Sequence, residues 1–70
     1  MQSILFKKAH WNELKKGDVI FDLNNHDDVQ CVLAITPKRR LIKLEDLAQA
    51  KVRWTAKLRY ESKNYYYLDK

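Results

Sequence analysis

Ala50-Lys51-Val52-Arg53-Trp54-Thr55-Ala56-Lys57-Leu58-Arg59-Tyr60 is the stretch on which the reading of this chain turns. Every second residue is apolar (Val52, Trp54, Ala56, Leu58, Tyr60), and between them stand Lys51, Arg53, Thr55, Lys57 and Arg59. Side chains alternate between two faces along a β-strand, so this stretch carries one apolar face and one basic or hydroxyl-bearing face. A slip of one residue would bury four cations, which fixes the register. The alternation predicts the central strand of a small sheet, with Val52, Trp54 and Leu58 turned into the core. A helix competes with it. Leu44, Leu47, Trp54 and Leu58 lie near one helical face, and Ala, Leu, Glu, Lys and Arg are good helix formers. Lys51 and Thr55 fall within that stripe, however, and Val52, Trp54, Thr55 and Tyr60 favour strands. The strand is preferred; the alternative is an α+β fold with a helix near residues 44–60.

Seventy residues make a single small domain, residues 1–70. A chain this short buries only about 60% of the surface its unfolded form exposes. Its one cysteine, Cys31, has no partner for an internal disulfide, and His10, His26 and Cys31 show no metal-ligand spacing. No cofactor is expected. Core area must come from rings: Phe6, Trp11, Phe21, Trp54, Tyr60, Tyr65, Tyr66 and Tyr67. The opening Met1-Gln2-Ser3-Ile4-Leu5-Phe6 is too short in apolar residues for an export signal, and no membrane-spanning run follows. A cytoplasmic chain is expected.

Working outward from 50–60, alternation recurs. Asp18 to Leu23 and Val29 to Thr36 read as a hairpin around the polar turn Asn24-Asn25-His26-Asp27-Asp28. By parity Val19, Phe21 and Leu23 share one face, as do Cys31, Leu33 and Ile35. Cys31 therefore reads as a buried, unreactive thiol. Pro37-Lys38-Arg39-Arg40 is the next turn, Leu41 to Leu44 a third strand, and Glu45-Asp46-Leu47-Ala48-Gln49 a helix-like turn. Tyr65 to Leu68 is the last strand. Ile4 to Phe6 reads as a short edge strand, and Asn12 as the cap of a helical turn that ends at Gly17. The fold class expected is mostly β: a five-stranded small barrel or a strongly bent antiparallel sheet.

Leu14-Lys15-Lys16-Gly17-Asp18-Val19-Ile20, a polar turn, and then Val29-Gln30-Cys31-Val32-Leu33-Ala34-Ile35 resemble the opening hairpin of SH3-like barrels of the KOW and Tudor-like kind. Leu41-Ile42-Lys43-Leu44-Glu45-Asp46-Leu47 resembles the strand and helical turn that close such barrels. The resemblance spans residues 14–47 and implies an SH3-like barrel.

Charge is uneven. Residues 1–35 hold four lysines against five acids, and residues 36–70 hold ten cations against four acids, so the formal +5 belongs to the second half. An anionic partner is implied. Catalysis is not expected: Gly17 stands alone without a phosphate loop, and His26-Asp27-Asp28 reads as a solvated turn. Lys38, Arg39, Arg40, Lys51, Arg53, Lys57 and Arg59 are the candidate phosphate contacts. Tyr65 and Tyr67, turned outward if Tyr66 faces the core, are the candidate stacking rings. The function expected is RNA or single-stranded DNA binding. The alternative is a small inhibitor or regulator of the phage or mobile-element type, meeting an acidic protein surface, with a homodimer possible.

Overall fold

A computed structural model describes residues 6–68. The chain forms five antiparallel strands in one sheet: β1 (Val19–Asp22), β2 (Asn25–Ile35), β3 (Leu41–Asp46), β4 (Lys51–Ala56) and β5 (Tyr65–Tyr67). Their spatial order is β4-β3-β2-β1-β5. The expected mostly-β class is what forms, and the sheet is open rather than closed into a barrel. A short helix α1 (Lys57–Glu61) precedes β5, and 3₁₀ turns lie at Trp11–Glu13 and Pro37–Arg39. Of the strand expected at Ile4 to Phe6, residues 4 and 5 lie outside the described ones, and Phe6 is not in a strand.

Eleven-residue β2 is the central strand, not the 50–60 stretch. It pairs with β1 through Val19↔Cys31 and Ile20↔Gln30, and with β3 through Val32↔Leu44 and Ile35↔Ile42. The hairpin turn is tighter than expected. Leu23 and Asn24 make it, with Asp22 Oδ1 accepting from the Asn24 amide at 2.9 Å. Gly17 occupies left-handed backbone at φ 95° as the chain turns into β1, a conformation glycine adopts without a Cβ clash. At the β3–β4 turn Asp46 Oδ1 accepts from the amides of Ala48 and Gln49, at 2.9 and 3.1 Å. The acids of Glu45-Asp46 thus end a strand and close a turn rather than start a helix.

The 50–60 stretch is corrected in three respects. It is extended only from Lys51 to Ala56, and Lys57–Glu61 is helical, so the helix alternative is realised in its last residues alone. Its strand is an edge. Its faces are also reversed: Thr55 is buried, whereas Val52 and Trp54 are about half exposed at 46% and 48%, and Leu58 is 85% exposed. The cause is in the register. Ile42↔Thr55 and Leu44↔Arg53 set the polar side of β4 beside the buried side of β3. Lys51 and Arg53 escape burial because β4 lies at the sheet's border, where long cationic stems reach solvent.

One face of the sheet carries Ile20, Val32, Ile42, Leu44 and Tyr67, and it is covered by Ala9, Trp11, Leu14 and Tyr60. Trp11 lies 5.4 Å from the Tyr60 ring, which stacks at 4.9 Å on Tyr65. The helix is short but necessary, since it swings Tyr60 under the sheet. This is the core face.

Candidate functional site

The opposite, outer face is set by the same registers. Val52, Glu45, Cys31 and Val19 form one row across β4, β3, β2 and β1, because each is paired with the next. Trp54, Lys43 and Ala34 form the adjacent row. Leu41 and Ala56 continue it. Within these rows the charged residues are Lys43 and Glu45. Lys43 Nζ lies 5.6 Å from the centre of the Trp54 ring, and stacking on that ring holds the cation over apolar surface. Phe6 meets Phe21 edge-on at 4.9 Å, so the far corner of this face has local cover, while the Trp54–Val52 side has none among the described residues. Cys31 is half-buried here, not enclosed as its parity with Leu33 and Ile35 predicted.

Tyr65 and Tyr67 are buried on the core face, which corrects the expectation that they face outward as stacking rings. The Tyr65 hydroxyl donates to Asp28 Oδ2 at 3.1 Å, and the Tyr67 hydroxyl to the Glu13 carbonyl at 3.3 Å. Burial pushes both hydroxyls above the ordinary tyrosine range; for Tyr65 the neighbouring Asp28 adds to it. Tyr66 takes the outer side, half-buried, with Lys8 Nζ 5.2 Å from its ring centre.

The cations divide. Lys38 and Arg40 are exposed at the Pro37–Arg39 turn, but Arg39 is a clip: its Nη1 donates to the Trp11 carbonyl at 3.1 Å, and Trp11 Nε1 donates to the Arg39 carbonyl at 3.2 Å. Lys51 and Arg53 lie on β4, whereas Lys57 and Arg59 lie on α1, so the four do not make one strand face. Arg53 and Arg59 instead line a cleft of about 280 Å³ with Lys63, facing Asp27, Asp28 and Asp46. Lys63 Nζ lies 3.8 Å from Asp28 Oδ2, and Gln30 Nε2 donates to Asp28 Oδ1 at 2.5 Å. Arg53, Arg59 and Lys63 thus share this cleft with three carboxylates, and the cations do not line up as one uniformly positive track.

Alternation alone assigns Trp54 and Val52 to the core, so their exposure on the outer face is not read from it. The signal was present elsewhere: Val19-Ile20-Phe21 and Val32-Leu33-Ala34-Ile35 are apolar at both parities, which marks a sheet with two apolar faces. Neither protein families, curated proteins nor solved structures yield a match to this chain. No helix among the described residues is long and apolar enough to cross a membrane.

Proposed function

We propose that this chain is a protein-binding module whose outer sheet face, around Trp54 and Val52, docks on a partner. One observation carries the reading: the sheet is apolar on both faces, and among the described residues the segments outside the sheet cover the core face throughout but the outer face only at the Phe6–Phe21 corner. An antiparallel sheet that meets water on its second face normally alternates to polar residues there. Exposed Val52 and Trp54, with Lys43 and Glu45 between them and the half-buried apolar residues of β2 and β1, supply the aromatic anchor of an interaction hot spot. A small inhibitor or regulator working by surface contact has this build. The SH3-like kinship of the 14–47 motif belongs to the same proposal.

Single-stranded nucleic-acid binding is the second reading, favoured by Lys43 stacked on the exposed Trp54 ring and by the formal charge of +5. It rests on Trp54 with Lys43 rather than on Tyr65 and Tyr67. Affinity capture from cell extract, with and without nuclease, separates the two. The protein-binding reading expects a discrete partner that survives digestion and is lost with Val52→Asp. Capture that disappears on digestion, together with low-salt binding of single-stranded RNA or DNA, assigns the nucleic-acid role instead.

A further inference from the structure

We propose that the free edge of β4 accepts an extended segment of the partner as an added strand, and that this segment alternates acidic and apolar residues. The inference rests on the protein-binding reading and names the partner's chemistry. β4 is the terminal strand of the sheet, six residues long, and no described residue pairs with its outer side. The other border is short and already occupied. Lys8 bridges Tyr66, the Ala9 amide donates to the Tyr65 carbonyl at 3.0 Å, and the Tyr67 amide donates to the Lys7 carbonyl at 2.8 Å. The open row of backbone donors and acceptors therefore belongs to β4, and such an edge is a template for strand addition.

Alternation along β4 dictates what fits. Residues opposite one another on paired strands share a face and touch. An added strand places every second side chain beside Lys51 and Arg53, and the others beside Val52 and Trp54 on the outer face. Neither Lys51 nor Arg53 forms a salt bridge among the described residues, although Asp46 stands opposite Lys51 in the β3–β4 register, and Arg53 stands with Arg59 at the cleft. Carboxylates suit the first set of positions and apolar side chains the second. The strand also extends the outer apolar face beyond its border, so edge and face act as one surface.

A second copy of this chain is disfavoured by the same residues. Antiparallel β4–β4 pairing centred on residue 53 sets Arg53 against its own copy. Like charges directly opposed destabilise a pair, and each copy adds its own +5. The cations thus disfavour that self-pairing while admitting an acidic strand.

The test uses ¹⁵N-labelled protein and the peptide acetyl-Glu-Val-Glu-Val-Glu-Val-Glu-amide. The expected result is shifted resonances and slowed amide exchange within Lys51–Ala56, with binding weakened by salt. Lys51→Gln with Arg53→Gln lowers affinity by about fivefold, the loss of two cross-strand charge pairs. A peptide with N-methyl groups on alternate amides, or with the order Glu-Glu-Glu-Glu-Val-Val-Val, binds poorly. Absence of a response at β4, or equal binding of the block-ordered peptide, overturns the proposal. If a nuclease-resistant partner dependent on Val52 is nonetheless captured, edge pairing falls and the protein-binding module stands; if neither is seen, both fall.

Discussion

The Tyr60 hydroxyl donates to the Ala9 carbonyl at 2.5 Å, joining residues 51 apart in sequence beneath the sheet. Tyr60 comes from α1 and Ala9 from the segment ahead of the first 3₁₀ turn. The bond therefore ties the two pieces of chain that cover the core face. Tyr60→Phe keeps the ring stacked on Tyr65 but leaves a buried carbonyl without its donor, at a cost of about 1–3 kcal/mol. Urea unfolding measures it; an unchanged midpoint shows the bond to be dispensable.

The two tryptophans separate stability from binding. Trp11 is 3% exposed in the core, so Trp11→Ala costs about 3–5 kcal/mol and unfolds a domain of this size. Trp54 is half exposed on the outer face, so Trp54→Ala costs about 1 kcal/mol or less. Thermal melts of both variants decide it, and a Trp54 variant that unfolds would return that residue to the core.

Much of the fold was legible because it depends on local signals. The β1–β2 hairpin, the turn at Pro37 and the last strand all follow from short apolar runs and turn residues. The faces were not legible from the 50–60 stretch. Its alternation is real over Lys51–Ala56, yet periodicity states only that the faces differ, not which one is inside. Burial of Thr55 is decided by pairing with Ile42 on β3, and exposure of Trp54 by pairing with Lys43. Both are tertiary facts. Parity alone puts Trp54 inside and Tyr65 and Tyr67 outside, the reverse of what pairing sets, and so points to a basic face instead of the outer apolar one.

Three buried tyrosines give the fold an alkaline limit. Burial raises the hydroxyls of Tyr60, Tyr65 and Tyr67 above the ordinary value of about 10 that they regain on unfolding. The unfolded chain therefore releases these protons first, so their contribution is complete below pH about 10 and is lost as pH rises beyond it. Tyrosinate absorbance should appear together with loss of the near-ultraviolet circular dichroism. Ionisation of all three near pH 10 with the fold intact would contradict the packing.

Cys31 reports on the outer face. It is half-buried in the row with Val19 and Glu45, so a small thiol reagent labels it in the native protein. A partner seated on this face slows that labelling. Complete protection of the free protein, or a rate unchanged in the complex, places the contact elsewhere.

The most direct measurement of the central claim is partner capture from nuclease-treated extract by the wild-type chain and by Val52→Asp and Trp54→Ser, with their circular dichroism compared alongside. The account predicts native spectra for both variants and loss of the captured protein with each. Undiminished capture by both folded variants, or capture that vanishes with nuclease in the wild type, contradicts it.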